Sequence, residues 1–504
     1  MTGTVTHHRP WPRRMVDMAG WERAAERLAA GQGTLLALWG EPDCVHMAIL
    51  DEGASASPGS PGIEVLSLAC PDGRFPSVGR VHAAAIRLER TMRDLFGLDP
   101  VGLPDTRPWL DHGRWGVAAP LSAVPRPGQE ESSAYPFLPV EGEDLHEVPV
   151  GPVHAGIIEP GHFRFTCDGE TVVRLEERLG YVHKGTESLM RGGDLDRAAR
   201  LAARTSGDST VAYGIAFARA VEAALGLEPP PRAVWLRALM AELERLANHL
   251  GDFGAICNDA SFVLMLAHCA MLRERVLRTA MACFGHRLMM DRVVPGGVAC
   301  DLDAQGVAAL RALLAEIGKR FPPLVNLYDN TASLLDRTVT TGIVKPELAR
   351  RFGAGGHVGR AAGRAFDSRR ALGGYPPYDS LRFEVPVLEE GDVNARVWIR
   401  IREIEQSLAL VAQILDTLPD GPVRVPLSPA TGEVREGMAL AEAFRGDVFV
   451  WLRLDAEGRI ARCHLRDPSW FQWPLLEAAI EDNIIADFPL CNKSFNCSYS
   501  GHDL

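Results

Sequence analysis

The sequence predicts an α+β protein: a small α+β domain at the N-terminus, then a mainly α-helical bundle domain with peripheral β-hairpins. Three observations lead there. The chain has 504 residues, 46% apolar and 23% charged, too long for one ordinary domain and too apolar for a disordered chain. Short apolar runs mixed with helical patterns fill the first hundred-odd residues, whereas long Ala/Leu/Arg-rich helical runs dominate the rest. Between them lies a stretch rich in Pro, Ser, Gly and Glu without periodicity. The expected division is 1–118, a linker over 119–150, and 151–504.

In the first domain, Met18 to Ala30 and Val81 to Phe96 carry helical spacing, and Thr34–Trp39 and Ile63–Leu68 are short strand-like runs. After the linker, Phe163 to Leu175 alternates around the turn Asp168-Gly169, a hairpin signal. Helical patterns follow at Leu195–Leu225, Ala233–Ile256, Phe262–Met289, Ala304–Phe321 and Ala395–Leu418, joined by short breaks as in a bundle. Gly446 to Leu465 returns to strand-like alternation around Ala456-Glu457-Gly458.

Charge and cysteine content narrow the function. With 53 Lys and Arg against 65 Asp and Glu the formal net charge is -12, so nucleic acid is not an expected partner. Lysine occurs only at Lys184, Lys319, Lys345 and Lys493; the other basic residues are arginine, a coding bias before it is a function. Met1 to Arg14 has no apolar stretch behind its basic residues, so no secretory signal is expected there. The longest apolar stretch, around Ala260 to Leu272, is interrupted by Ser261, His268 and Cys269 and falls short of a spanning length. A soluble or peripheral protein is expected. None of the ten cysteines forms a C-x-x-C pair, so most read as small buried hydrophobes.

Read singly, the polar motifs have ordinary explanations. Cys491 and Cys497 have no usual metal spacing. Arg204-Thr205-Ser206-Gly207-Asp208-Ser209 suits a helix cap. Tyr181-Val182-His183-Lys184-Gly185-Thr186-Glu187 offers a tuned carboxylate or, more commonly, a surface ion pair. Val294-Pro295-Gly296-Gly297-Val298 is a tight turn, and Arg445-Gly446-Asp447 opens a strand.

Taken in order, they resemble the large subunit of membrane-bound nickel–iron hydrogenases of the formate hydrogenlyase type, itself homologous to the 49-kDa-like subunit of complex I. The likeness spans about Gly151 to Leu504. It rests on Gly151-Pro152-Val153-His154, Glu159-Pro160-Gly161-His162-Phe163-Arg164, the His183–Glu187 element, Glu244–Leu250, Arg292–Val298, Glu442–Asp447, Arg466–Trp470 and Ile484–Asp487. Leu88–Leu98 with Pro104–Pro108 resembles the 30-kDa-like subunit of complex I, fused ahead as in formate hydrogenlyase-type enzymes. The resemblance implies a hydrogenase large-subunit-like fold. It also implies a small partner subunit carrying a 4Fe–4S cluster, antiporter-like membrane subunits, and a place on the cytoplasmic side of the cell membrane.

Departures from the family pattern then decide the chemistry. The family holds nickel and iron with two C-x-x-C motifs, because soft thiolates suit redox-active nickel. Here Ser206 and Ser209 stand at the first pair, and Cys497 and Ser500 at the second, so one cysteine of four remains. Tyr213 stands where the family often has His, and Asp503 replaces the terminal basic or His position. Hydrogenases commonly carry a tail past this motif, and its near absence is expected to go with the same loss. No nickel–iron centre is expected, nor any other cofactor on this chain. The quinone-linked His of complex I falls at Ile158 and its tyrosine near Arg204 and Thr205, so that protonating pair is missing. Asp259 matches the coupled aspartate, and Arg360, Gly363, Asp367 and Arg369 resemble a cavity-lining segment, leaving Arg360 and Asp367 as candidates for a quinone-like site. Glu187 matches the proton-exit glutamate and Arg445 the arginine over the metals. A buried unpaired arginine is costly, so a carboxylate is expected beside it, with Asp208 the candidate.

Three readings follow. The favoured one is proton or conformational coupling across an emptied cavity lined by Glu187, His183, Asp259, Arg445 and Asp208. The others are reduction of a quinone or another acceptor in that cavity, as in NADH:quinone oxidoreductase, and a scaffold without a redox role. Whether the chain is itself an enzyme stays open among them. No strand is followed by G-x-G-x-x-G with a later acidic residue, so NAD binding by this chain is not expected.

Overall fold

The computed structural model describes residues 3–51, 62–128, 134–155, 158–371, 374–430 and 432–504; residues 129–133 of the expected linker lie outside it. Near the N-terminus, strands Gly3–Val5, Arg13–Val16, Ile63–Ala69, Cys44–Leu50 and Thr34–Glu41 form a five-stranded sheet in that spatial order. Arg13–Val16 runs parallel to Ile63–Ala69 and the other pairs are antiparallel. Helix Met18–Ala29 starts where the Asp17 carboxylate accepts from the Gly20 N–H, and it buries Trp21, Ala24, Ala25 and Leu28. Helix Ile86–Phe96 buries Leu88, Met92, Leu95 and Phe96 and stops at Gly97, which takes a left-handed conformation.

The second part opens with a three-stranded sheet, Leu145–Val150, His162–Asp168 and Thr171–Arg178. Its first strand lies inside the stretch expected to be linker. Leu145 to Val150 pairs along its whole length with the next strand, which a reading by turn residues alone misses. Helices Leu195–Ala203, Thr210–Leu225, Pro231–Asp259, Val263–Phe284, Ala304–Asp329 and Val393–Thr417 supply most of the core. The expected run Leu195–Leu225 is two helices, interrupted by a 3-10 turn at Gly207–Ser209. Ala304–Asp329 instead runs on through Pro322 and Pro323, because Ile317, Phe321, Leu324 and Tyr328 continue one buried stripe across them.

A second sheet, Arg435–Ala443, Gly446–Leu454 and Ile460–Arg466, lies between the two parts. Side chains of a strand alternate between faces. Ala439, Ala441, Ala443, Val448, Val450 and Leu452 belong to the helical core, whereas Met438, Leu440, Phe449 and Trp451 pack with Leu36, Trp39, Ala48 and Val65 of the N-terminal sheet. Gly437 lets helix Thr210–Leu225 approach, since a β-carbon there would sit 1.9 Å from the Ala220 carbonyl oxygen. His8–Arg9 adds a parallel strand to the edge of the same sheet. The expected domains thus share cores instead of hanging on a tether. No helix among the described residues is long and apolar enough to cross a membrane.

Candidate functional site

Three loops converge where the sequence placed the replaced ligand motifs. The 3-10 turn Gly207–Ser209 precedes helix Thr210–Leu225, Phe444-Arg445 joins strands Arg435–Ala443 and Gly446–Leu454, and Asn496 follows helix Phe488–Phe495 in a left-handed conformation. Arg445, 3% exposed, reaches Asp208 with both terminal nitrogens, at 2.8 Å to Oδ1 and 2.6 Å to Oδ2. This two-pronged match is the strong form of an ion pair. Arg445 also donates to Ser209 Oγ at 3.1 Å and, through Nε, to the Asn496 carbonyl. Ser206 Oγ donates to Asp208 Oδ1 at 2.8 Å, and Ser498 Oγ donates to Ser206 Oγ at 3.0 Å. Burial pushes the Asp208 carboxyl up, but Arg445 outweighs it and holds the group at about 2.

From this pair a buried polar chain continues. Asn496 Nδ2 donates to both Asp252 oxygens at 2.9 and 3.0 Å, and Arg400 Nε donates to Asp252 at 3.3 Å. Arg400 Nη2 lies 2.9 Å from His357 Nε2, and burial with the Arg400 charge keeps that imidazole neutral. Beyond it, His249 Nε2 meets Glu403 at 2.7 Å, and Glu403 binds Arg360 at 2.7 Å.

Arg360 and Asp367, the candidates for a quinone-like site, are sealed in this core. They are 0% and 1% exposed; Arg360 binds Glu403 and Glu442, and Asp367 binds Arg369 at 2.7 Å. Their side chains are committed to one another. The five residues expected around one cavity are likewise not brought together. Asp208 and Arg445 form the serine-lined pair. Glu187 and His183 line a different cavity, beside the N-terminal domain. Asp259 is two helical turns past Asp252 on Pro231–Asp259, about 10 Å along the axis, where burial raises its carboxyl and Lys493 opposes that rise. The single-cavity expectation is corrected to this extent: Asp208, Arg445 and Asp259 do not line the cavity of Glu187 and His183, although Lys184 beside His183 reaches the Thr205 carbonyl at 3.5 Å.

Glu187 opens the short helix Thr186–Met190. It accepts from His464 Nδ1 at 2.9 Å, Arg462 Nη1 at 2.8 Å and the Leu465 N–H at 3.2 Å. Burial raises its carboxyl, but Arg462 and His464 bring it to about 2. His183 stacks on Trp115 at 4.8 Å and donates from Nδ1 to the Asp503 carbonyl at 2.7 Å. The Asp503 carboxylate accepts from Gly180 and Val182 N–H groups at 2.9 and 3.0 Å. Ser500 N–H donates to Glu159 at 3.0 Å, and Tyr213 donates to Asp467 at 2.7 Å. Ile158 is 39% exposed, and Arg204 is held at the surface by Asp291. Sequence reasoning missed Arg462 and His464, although Arg462, His464 and Arg466 alternate on one face of an apolar strand, a readable signal. It also missed Asp252, Arg400 and Glu403, which sit in long helices and look like surface charges.

Comparison with known proteins agrees with this architecture. The family described as the 49-kDa subunit of the respiratory-chain NADH dehydrogenase matches residues 259–431, and that of its 30-kDa subunit matches residues 61–125. Formate hydrogenlyase subunit 5 of Escherichia coli (strain K12) is 32% identical over 439 residues, covering 85% of this chain and 77% of that protein. A subunit of the NADH-quinone oxidoreductase of Syntrophobacter fumaroxidans is 32% identical over 356 residues, covering 70% of this chain and 94% of its own length. A chain from the membrane-bound sulfane sulfur reductase, an archaeal respiratory membrane complex, superposes with a TM-score of 0.68 at 26% identity. That match covers 73% of this chain and 100% of the other.

Proposed function

This chain belongs to the family of formate hydrogenlyase-type large subunits and complex I 49-kDa subunits, with a 30-kDa domain fused ahead, and on that premise we propose that it serves a membrane-bound oxidoreductase complex without nickel–iron chemistry of its own. One observation carries the reading: Asp208 occupies the replaced ligand loop and binds Arg445 with both oxygens. The donor set does not fit nickel and iron. Ser206 and Ser209 already hydrogen-bond Asp208, and a neutral hydroxyl is a poor ligand for a soft metal. Cys497 is the one thiol left of the four soft ligands that such a centre needs.

In this reading the chain couples by charge. Its partner is a small subunit carrying a 4Fe–4S cluster, and antiporter-like subunits form the membrane arm on whose cytoplasmic face both sit. Asp208, Arg445, Asp252 and Arg400 are linked through Asn496, and the two arginines lie in the interior, where salt screens them little, while Asp208 is partly open to solvent. A change of charge at the serine-lined loop therefore biases the whole chain toward His357, linking redox change in the partner to ion movement.

The test is elemental analysis of the purified native complex, with hydrogen uptake assayed beside it. Iron without nickel and no hydrogen uptake are expected. Stoichiometric nickel together with uptake would overturn the reading.

A further inference from the structure

A cleft of about 1470 Å³ lies between the N-terminal domain and the three-stranded sheet, larger than most small-molecule sites. Arg93, Arg114 and Arg126 line it from the N-terminal side and Arg178 from the sheet. Arg114 and Arg126 are exposed, Arg93 is half-buried and Arg178 is buried. Arg93 donates to the Thr106 carbonyl at 2.7 Å, and Arg178 donates to the Trp109 and Asp111 carbonyls. Among the described residues, none of the four arginines is paired with a carboxylate. The carboxylates of the cleft are engaged elsewhere. Asp94 accepts from the Trp109, Leu110 and Asp111 N–H groups, Asp111 accepts from the Gly113 N–H at 2.7 Å, and Asp99 meets Arg74 at 3.4 Å.

The arginines gather in two pairs. Arg93 sits on the last turn of helix Ile86–Phe96, and Arg126 Nη2 reaches Gly97 at its end, 3.1 Å from where a β-carbon would go. Arg114 and Arg178 both lie close enough to Tyr181 to pull its hydroxyl down against the rise from burial. Burial lowers Arg178 and Arg90 adds to the fall, so its charge is incompletely offset. Trp115 and Tyr181 line the same cleft, and Tyr181 is 38% exposed. Arg, Tyr and Trp are the side chains that dominate protein–protein contacts, and the arginine fork meets a carboxylate with two bonds. The chain as a whole is acidic, with a formal net charge of -12, so an acidic partner is drawn only where positive charge is concentrated. Two charge sites in one concave space suit an extended chain better than a single small anion or a flat membrane surface.

We propose that this cleft docks an extended acidic segment of a partner protein, its carboxylates on Arg114 and Arg178 at one site and on Arg93 and Arg126 at the other. The inference does not depend on the loss of nickel–iron chemistry. The docked segment bridges the fused domain and the three-stranded sheet, and its hold weakens with salt because the exposed arginines are screened.

Isothermal titration calorimetry of the purified full chain in low salt, with the acidic peptide EDFEDE and its amide counterpart QNFQNQ, tests this. One equivalent of the acidic peptide is expected to bind, and the amide peptide about tenfold more weakly or not at all. Arg114→Gln/Arg126→Gln removes one arginine from each pair and is expected to weaken the acidic peptide about tenfold. Arg114→Gln alone gives the same reading should the double variant fail to fold. Arg23→Gln/Arg382→Gln changes the net charge equally at exposed positions outside the cleft and is expected to leave binding unchanged. No heat with the acidic peptide, equal affinity for the two peptides, or an equal loss in both double variants would overturn the proposal. So would displacement of the peptide by equimolar inorganic pyrophosphate, the mark of a small-polyanion site. Binding by Glu130→Gln/Glu131→Gln but not by the parent would assign the cleft to this chain's own acids, which lie outside the described residues, and would overturn it as well.

Discussion

Arg445 brings a full charge into the interior at 3% exposure, and its pairing with Asp208 governs what a substitution there does. Removing one partner of a buried pair strands the other, whereas removing both can be nearly neutral. Asp208 keeps 34% of its side chain open to solvent, so water can take over part of its role. Asp208→Ala is therefore expected to cost about 2 kcal/mol, below the range for a fully buried pair. The double variant Asp208→Ala/Arg445→Met should recover part of that loss in urea unfolding; an unchanged midpoint for the single variant would refute the pairing argument. The other depressed carboxyl, Glu187, gives a pH test. Its value falls from 4.5 in the unfolded chain to about 2 in the fold. Its contribution is complete above 4.5 and fades as pH drops toward 2. Glu187→Gln should accordingly be less stable than the parent at pH 7, and the gap between their unfolding midpoints should close across that window. A gap that stays constant from neutral to acid would mean that the Arg462 and His464 contacts do not set the charge of Glu187.

At the level of elements, the central sheet is fixed by how closely helix Thr210–Leu225 lies on strand Arg435–Ala443. Gly437→Ala would drive a β-carbon to 1.9 Å from the Ala220 carbonyl oxygen, with neither backbone free to yield. The expected cost is about 3 kcal/mol, at the upper end of overpacking. Gly318, inside helix Ala304–Asp329, has open space where a β-carbon would go. Gly318→Ala should stabilise by about 1 kcal/mol, since glycine costs that much in a helix interior. Chemical denaturation of the two variants separates a steric glycine from an incidental one; similar shifts in both would mean the helix can move off the strand. The same packing explains which elements were legible in the sequence. Helix Met18–Ala29 and the hairpin at Asp168-Gly169 are amphipathic, so their period shows. Strand Arg435–Ala443 is buried on both faces, and its sequence therefore lacks the alternation that betrays a strand. The break at Gly207–Ser209 was half visible: its residues suit a helix cap, but those on both sides carry the same helical composition and read as one run. At the candidate site, the loop and Arg445 were readable from motif order, whereas the commitment of Glu187 to Arg462 and His464 depends on how its short helix packs on strand Ile460–Arg466.

At the scale of the molecule, the question is whether the fused N-terminal domain is a passenger or a structural half. The joint at Trp109 answers it. This indole is 1% exposed, with the Arg87 and Arg90 guanidinium groups 4.5 and 4.7 Å from its ring centroid. Arg87 in turn binds Glu177 at 3.0 Å and Glu477 at 2.7 Å, both in the second part. The indole N–H donates to His502 Nε2 at 3.2 Å, and His502 stacks on Trp470 at 4.0 Å. One side chain therefore connects helix Ile86–Phe96, the three-stranded sheet and the C-terminal helices, and it closes over the segment that bears Cys497 and Ser500. Proteins of this size often melt domain by domain, and a flexible linker would make that the rule. Shared cores predict the opposite: calorimetry should give one transition, in which the two parts unfold together. Trp109→Ala should cost about 4 kcal/mol, as for other large aromatic truncations in cores. It should lower that single transition as a whole, because the indole belongs to both parts. Two separated transitions, with only the smaller moved by Trp109→Ala, would instead make the N-terminal domain an independent unit.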